Sequence, residues 1–576
     1  MSEVQVVRGE MQPWTDRTVA RPALAALLTD VIPANRRTLV LGPHAPQLIE
    51  SVLAHSADVT ILVRSVADAQ QLGDEFGPCL QVIAGALDGL QTSPYDVIIA
   101  SDGLDRVLGY DSADLSWTER LAAVGALATP DAVVVLGLEN EFSLLNLLDS
   151  RPAEERHGDD EWRPVHDDPT RPVSVDQLRT ALPWAVEVYA DFASSAFVRA
   201  DVAAAGRPGE LPTRLAVGAL EPADVPLLSP SHEGIDTAAR AGLLAAVPTG
   251  WLAIAGAPPA HDIYAETAGA VLTANQTLTG WDTTITGDPT PNEAPASEPA
   301  TDSASEPTRG HSLSFDPGVV PGAISSGVAV ESVLFRLAAA EDVPGFRKLA
   351  ADLGDWVSET RVIVRWDDII YDGDTFSYGV SGWTTQAPVQ KEDLLAAAWV
   401  RFHDRLIGQH RRHPWPPWML GDDLVSAWLG MSGVEPPEQI QATDPDTLPA
   451  TSQQVARGKE LATALAAVLG TGPGTVDVRT ALADAEAAKH ELFELKGHVY
   501  GLERTLGFRN KAMKTREHRI RELRGQLQRV TAAHDRIRDS RTYAVSRVIF
   551  HAAQVRKPKV VARKLARKLD RRLRRR

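Results

Sequence analysis

The chain has 576 residues, too many for one hydrophobic core, so two or three folded units with extensions are expected. Its 44% hydrophobic share suits a protein that folds, and its single cysteine, Cys79, excludes an internal disulfide and a multi-cysteine metal site. The net charge is −18, although residues 541–576 are strongly basic. The N-terminus has no signal-peptide pattern and no apolar run reaches 18 residues, which indicates a cytoplasmic protein.

Residues 1–140 alternate short apolar runs with amphipathic segments. A helix predicted over 17–31 precedes the stretch Thr38–Arg64, which has the pattern of a strand, a loop, a helix and a second strand. Further strands are predicted at 80–84, at 95–100 and near 132, with a helix at 117–127. This alternation predicts an α/β fold with a doubly wound parallel sheet, in which ligands bind beyond the carboxyl ends of the strands.

Two more strands are predicted after a helix at 175–182. They cover 185–190 and 196–200, and so short a connection predicts an antiparallel hairpin, which we place at the edge of the sheet. Residues 201–285, which include the apolar run TGWLAIAGAP, show a mixed pattern. We assign them to an extension of the first domain, which then covers 1–285.

Three segments at the predicted strand ends, together with this hairpin, resemble class I S-adenosylmethionine-dependent methyltransferases. The segments are TLVLGPHAP (38–46), YDVIIASDGL (95–104) and ATPDAVVVLGLEN (128–140), and the resemblance covers roughly residues 1–200. It implies a Rossmann-like methyltransferase sheet with an antiparallel edge hairpin, and S-adenosylmethionine as the cofactor. The resemblance places these residues at the cofactor: Gly42, His44, Arg64, Asp88, Ser101 and Asp102.

The loop after the first strand departs from the family pattern. Laid on the family form VLEVGCGTG, the segment TLVLGPHAP keeps only Gly42, while His44 and Pro46 replace two glycines. Val40 replaces the acid before the loop, and the acid after the second strand is also replaced. A proline removes a backbone donor, and the missing acid removes a hydrogen bond to the ribose. Most of the family's usual cofactor contacts are therefore lost.

A fourth segment, GLENEFSLLNLL (137–148), resembles a Glu–Asn pair in methyltransferase domains attached to bacterial surface-glycan machinery. Glu139 and Asn140 are therefore acceptor-site candidates, and the resemblance implies a cell-surface glycan or its precursor as the acceptor. For Asn140 the alternative is a helix N-cap. For the polar residues after the third and fourth strands the alternative is loop capping. The sequence identifies no catalytic base.

Residues 286–314 are rich in Pro, Ser, Thr, Ala and acids, which predicts a disordered linker. Residues 315–450 predict a second, α+β domain, to which the sequence assigns no role. Asp372-Gly373 between two apolar runs predicts a hairpin, and a helix is predicted over 391–410.

Two clusters in this second domain invite a ligand-binding interpretation. Turn formation explains the aspartates more simply than a metal site, and core packing explains the tryptophans better than a ligand platform. The clusters are Asp367, Asp368, Asp372 and Asp374, and Trp399, Trp415, Trp418 and Trp428.

Apolar residues recur at alternating intervals of three and four from Ala485 to Ile537. These sixteen positions hold eleven large apolar side chains, two alanines and three polar residues, which are Arg509, Arg516 and His534. A 3.5-residue repeat of this length predicts a coiled coil over 476–540, and one such helix needs a partner. We therefore predict a homodimer through 485–537. The alternative is a long amphipathic helix that folds back on its own domain.

The last segment, 541–576, contains 14 Lys and Arg against one acid, Asp570. Apolar residues four apart between 561 and 573 add a narrow apolar stripe, so a basic amphipathic tail is predicted. Such a tail binds an anionic membrane surface, which predicts a peripheral location on the inner face of the membrane. Nucleic acid attracts the same charges but is disfavoured, because no aromatic stacking residue lies beyond Phe550.

Two functions from different classes follow from these observations. The first is a methyltransferase-like protein that uses S-adenosylmethionine and acts on a cell-surface glycan or its precursor. The alternative is a catalytically inactive methyltransferase-fold scaffold, dimerised by its coiled coil and tethered to the membrane by its basic tail. Binding of the cofactor distinguishes the two.

Overall fold

The computed structural model describes most of the chain and divides it by internal contacts into two compact units, Met1–Val478 and Arg479–Arg576. No described helix has the length and hydropathy needed to cross a membrane. The predicted linker, 286–314, lies mostly outside the described residues. The described residues are 4–12, 14–16, 18, 21–152, 168–221, 226–287, 312–409, 411–416, 419, 421–434, 450–469, 478–555, 563 and 566–567.

The N-terminal half of the first unit is built on parallel strands. Their central residues are almost all buried, as expected for strands covered by helices on both faces. They pair in the order β1-β4-β3-β2-β5-β6, which confirms the predicted Rossmann-like sheet. The strands are β1 (Gln5–Val6), β2 (Arg37–Leu41), β3 (Asp58–Val63), β4 (Gln81–Ala84), β5 (Tyr95–Ala100) and β6 (Ala128–Glu139).

The same sheet continues as an antiparallel half in the order β6-β9-β7-β8-β10-β11-β12-β14. The predicted hairpin forms from β7 and β8, but its predicted place at the sheet edge is wrong. The fully buried segment 250–255 pairs with β6 on one side and with β7 on the other. These strands are β7 (Val186–Phe192), β8 (Ala196–Arg199), β9 (Gly250–Ala255), β10 (Ile263–Thr267), β11 (Ala270–Gln276), β12 (Gly280–Thr286) and β14 (Ala323–Ser325).

Helices cover both faces of the parallel half. Alternate residues of β2 belong to different apolar clusters: Val40 packs with α1 to α3, whereas Leu39 and Leu41 pack with α4 and α6. Helix α4 begins with a capping box in which Ser116 and Glu119 each accept a backbone N–H. These helices are α1 (Pro22–Val31), α2 (Pro46–His55), α3 (Val66–Phe76), α4 (Trp117–Leu127), α5 (Leu144–Leu148) and α6 (Val175–Ala181).

Residues 200–478 add more helices and two small three-stranded sheets to this unit. The predicted hairpin forms from β17 and β18, where Asp372 accepts the backbone N–H of Asp374 and Thr375. The further strands are β13 (Leu313–Phe315), β15 (Val328–Ala329), β16 (Thr360–Val362), β17 (Ile370–Tyr371), β18 (Phe376–Ser377) and β19 (Trp383–Val389). The helices are α7 (Ala200–Ala205), α8 (Leu211–Leu220), α9 (Ser231–Arg240), α10 (Val330–Ala339), α11 (Val343–Trp356), α12 (Lys391–Gly408), α13 (Gly421–Met431) and α14 (Ala450–Val468).

Strand pairing joins the two predicted domains within this unit. Strand β14, from beyond the predicted linker, pairs with β12, which ends at Thr286. The tryptophans Trp399 and Trp428 lie in the apolar core of the C-terminal half, as predicted from core packing. The division into 1–285 and 315–450 remains a prediction from composition.

The second unit consists of two helices, α15 (Val478–Asp539) and α16 (Arg541–Val555). The described large apolar side chains of the predicted coiled-coil seam, from Val499 to Ile537, are 47–68% exposed. Helix α16 likewise exposes Tyr543, Val548 and Phe550. The helical conformation agrees with the sequence prediction, whereas the partner of the seam remains a prediction.

Candidate functional site

The switch point of the parallel sheet lies between β2 and β5, where the strand order reverses and where doubly wound folds bind ligands. Gly42 follows β2 with φ +86°, a conformation that favours glycine. Gly137 of β6 lies so close to the loop after β5 that an added Cβ would be 2.0 Å from the Ser101 carbonyl oxygen. Glycine is therefore favoured at Gly42 by the backbone conformation and at Gly137 by the close approach of the β5 loop.

A buried His44–Ser101 pair occupies this crevice. The imidazole Nδ1 lies 3.0 Å from the carbonyl oxygen of Gly42, and Nε2 lies 2.7 Å from Ser101 Oγ. Because a carbonyl only accepts, Nδ1 carries the proton and Nε2 accepts from the serine hydroxyl. Burial lowers the pKa of His44 to about 4, and the charges of Arg21 and Arg106 act in the same direction. The imidazole is therefore neutral at pH 7.

Asp102 forms the charged wall of the crevice. Its Oδ1 lies 2.5 Å from Arg106 Nη2 and 3.7 Å from Arg21 Nη2. Burial raises the pKa of this carboxyl despite the two arginines, and its buried Oδ2 has no hydrogen-bond partner among the described residues. The crevice that remains, lined by Arg21, Pro43, His44, Asp102, Arg106 and neighbours, has a volume of only about 30 Å³.

Two predicted cofactor residues lie away from this crevice. Arg64 is buried, and it donates from Nε and Nη2 to Asp16 over 2.8 and 2.6 Å. It does not line the crevice. Its guanidinium is the counter-charge that the buried Asp16 carboxylate requires. Asp88 accepts the backbone N–H of Ala113 at 3.0 Å and lies 3.5 Å from Arg8. Both side chains hold the loops of the fold together.

The two acceptor-site candidates lie at and just after the end of β6. Asn140 donates to the carbonyl oxygens of Ala246 and Pro248 at 2.9 and 2.8 Å and accepts the N–H of Phe142 at 3.0 Å. All of these contacts are structural, so its amide is committed to joining two loops. Glu139 is exposed at the end of β6.

The switch-point crevice does not fit S-adenosylmethionine. Ligand pockets for molecules of this size have volumes of roughly 300–1,000 Å³, about tenfold or more above the volume found here. The imidazole of His44, hydrogen-bonded to Ser101, fills the space between the loops after β2 and β5. At the end of β3, Val63 is buried in the apolar core, where the family has an acid. Sequence and geometry therefore agree that the usual cofactor contacts are missing.

A second cavity in the same unit is much larger, about 440 Å³. We call it the charged cavity; its wall comes from α8, α9, α10, the β10–β11 turn, residues 365–368, residues 380–383 and the end of α12. No sequence motif predicts this cavity, because its residues are spread from 195 to 469. The one local signal is the pair Asp367 and Asp368, which turn formation explains equally well.

A network of ion pairs lines the charged cavity. Arg405 lies 3.2 Å from Glu331 and 3.3 Å from Asp367, and Asp367 also contacts Arg365 at 2.5 Å and Arg401 at 3.2 Å. Burial alone would raise the pKa of Asp367, but these arginines hold it well below its usual range. Burial raises the pKa of Glu331 to about 7 against the attraction of Arg405.

His232 and Asp368 complete the wall. Burial lowers the pKa of His232 to about 2, with help from Arg411 and Arg405, so this imidazole is neutral. Asp368 pairs with Arg214 and accepts the backbone N–H of Val380 and Ser381, each at 3.0 Å. No cluster of possible metal ligands occurs in the part of the chain that the structure describes.

Comparison with known proteins finds likeness at the level of the fold. No family model and no curated protein matches the chain. The CcbJ methyltransferase from Streptomyces caelestis matches at 18% identity and a TM-score of 0.18, over 21% of this chain and 51% of that chain. The glycopeptide N-methyltransferase MtfA matches at 16% identity and a TM-score of 0.22, over 31% and 86% of the two chains.

A chain of the complex between the Haloferax volcanii Trm112 methyltransferase activator and its methyltransferase matches at 14% identity and a TM-score of 0.26. That match covers 41% of this chain and 89% of the other. This chain thus spans about half of the CcbJ methyltransferase. At these TM-scores the strand order of the sheet remains the evidence for the fold, and activity is a separate question.

Proposed function

We propose that this chain is a Rossmann-fold scaffold, dimerised through its C-terminal helix and held at an anionic membrane surface by its basic tail. The observation that supports it most is the His44–Ser101 pair, which occupies the crevice where a methyltransferase would hold its cofactor. Methyl transfer to a cell-surface glycan, implied by the family resemblance, is the alternative. It would require this buried pair to separate and the crevice to enlarge about tenfold or more.

Calorimetry with S-adenosylmethionine distinguishes these functions. The folded full-length chain, checked by circular dichroism, is expected to give no binding heat at high micromolar cofactor. A matched variant, Asp102→Asn, is expected to give the same result. Saturable binding by the wild-type chain that Asp102→Asn weakens would contradict the scaffold and support the enzyme.

The dimer is supported by the exposed apolar seam of α15. Sedimentation velocity of the full-length chain is expected to give a dimer, and Leu523→Asp is expected to weaken association by about 100-fold, because a carboxylate in an apolar seam loses hydration. Gln528→Asp adds the same charge off the seam and is the control. A monomeric wild-type chain, or equal loss in both variants, would rule the seam out as the dimer interface.

The membrane contact is supported by α16 and the basic sequence beyond it. Five exposed apolar side chains, including Val548 and Ile549, precede 12 Lys and Arg in residues 556–576. We expect the full-length chain to co-sediment with phosphatidylserine-containing vesicles, but not with pure phosphatidylcholine, and to dissociate in high salt. Ile549→Asp should reduce binding more than Ser546→Asp. Equal binding to both vesicle types would refute an electrostatic tether.

A further inference from the structure

The charged cavity has the size of a small-molecule site and has no role in the scaffold proposed above. Each arginine of its wall already has a carboxylate partner. A strongly charged ligand would therefore have to displace a partner and leave a buried charge unpaired. The pairs are Arg214–Asp368, Arg365–Asp367, Arg405–Glu331 and Arg411–Asp236.

The wall nevertheless has unused hydrogen-bonding capacity. Arg214 Nη1, His232 Nε2 and Ser381 Oγ are buried and have no partner among the residues that the structure describes. They are a fixed donor, a neutral imidazole nitrogen and a hydroxyl that both donates and accepts. Buried polar atoms are nearly always satisfied by protein groups or by ordered water, so these three atoms keep hydrogen-bonding capacity that a ligand with both donors and acceptors can use.

The loop that carries Ser381 is held rigidly beside Arg214. Asp368 bonds to the backbone of both Val380 and Ser381 and pairs with Arg214. At Gly379 an added Cβ would lie 2.4 Å from the Asp368 carbonyl oxygen and 2.8 Å from Arg214 Nη2, so only glycine permits this close approach. The donor and the hydroxyl are thus positioned before any ligand arrives, which is the arrangement that specific binding needs.

We propose that the charged cavity binds a small neutral carbohydrate. Vicinal hydroxyls each donate and accept, which matches the unpartnered wall atoms, and a neutral sugar leaves the ion pairs intact. Phe335, Val468 and Leu469 give the cavity an apolar part that can contact the C–H groups of a sugar ring. The inference does not depend on whether the switch-point crevice binds a cofactor.

Saturation-transfer NMR on the full-length chain tests the proposal. The probes are D-glucose, D-galactose, D-mannose and N-acetyl-D-glucosamine, with ATP and inorganic phosphate as charged probes; phosphate, which has no observable protons, is measured by its competition with the bound sugar. At least one sugar is expected to bind saturably, and more tightly than either charged probe. Ser381→Ala and Arg214→Lys are each expected to weaken that sugar by about tenfold, because each removes one hydrogen bond to the ligand.

Two controls make the outcome decisive. Ser426→Ala removes an exposed hydroxyl outside the cavity and should bind the sugar like the wild-type chain. Thermal unfolding must show that both cavity variants remain folded, and Arg214→Lys keeps a charge beside Asp368 for this reason. The proposal is overturned if no sugar binds, if phosphate or ATP binds more tightly, or if both cavity variants bind like the wild-type chain.

Discussion

The switch-point crevice and the charged cavity occupy the same compact unit but differ in what fills them. The crevice lies where the fold favours a ligand, yet a neutral histidine and a serine close it to about 30 Å³. The charged cavity does not lie at the switch point of the sheet, yet its volume is about 440 Å³ and its wall has several unpartnered polar atoms. Side chains, and not strand order, decide which of the two can hold a ligand.

The largest expected effect comes from the Arg64–Asp16 ion pair, because both of its side chains are fully buried. Arg64→Met leaves Asp16 buried without its partner, and we expect a loss of about 3–5 kcal/mol in the free energy of unfolding. Urea titration measures it. The control is Arg412→Met, which breaks an exposed pair with Glu341 and should cost under about 1 kcal/mol. Equal losses in the two variants would show that Asp16 does not depend on Arg64.

The crevice histidine gives stability a pH dependence. Because the pKa of His44 is about 4 in the folded chain and about 6.5 in an unfolded one, the unfolded state binds more protons between these values. The contribution of the neutral His44 imidazole to the free energy of unfolding is complete above pH 6.5 and is lost as the pH falls toward 4. Between pH 7.5 and 5.0 we expect it to account for about 2 kcal/mol.

Urea titrations of wild type and His44→Asn at these two pH values measure the difference. The variant should lose less stability than the wild type when the pH is lowered. His232, which is also buried and neutral, contributes equally to the pH dependence of both proteins. Identical pH dependence in the two proteins would mean that His44 is solvated and that the crevice is open.

The smallest effect is expected in the charged cavity, because its ion pairs are shared. Arg401→Met removes one of three guanidinium groups around Asp367, which keeps Arg365 and Arg405. We expect a cost of about 1 kcal/mol, well below that of Arg64→Met. A cost as large as that of Arg64→Met, measured by the same urea titration, would show that the network acts as a single unit.

Local sequence patterns predicted the parallel half of the sheet well. Strand Tyr95–Ala100 and helix Trp117–Leu127 have the predicted bounds, because a buried run and a capping serine are local signals. Local patterns do not assign the segment Gly250–Ala255 to a strand, since its pairing with β6 and β7 depends on residues far away in the chain. Sequence patterns thus predicted the parallel half of the sheet and misplaced the hairpin of the antiparallel half.

The site was predicted less completely, for a similar reason. The loop TLVLGPHAP showed that the glycines were lost, but not that His44 would bond to Ser101, 57 residues later. The family resemblance places Arg64 at the cofactor, and nothing in the sequence connects this residue to Asp16. The charged cavity joins residues from several helices and loops, and no short motif records such a network.

The most direct test of the closed crevice is ¹⁵N NMR of histidine side chains in the full-length chain, with His44→Asn used for assignment. We predict that His44 is a neutral imidazole protonated on Nδ1, and that it stays so until the pH falls to about 4. A His44 imidazole that titrates near 6.5, as a solvated histidine does, would contradict the closed crevice and with it the scaffold.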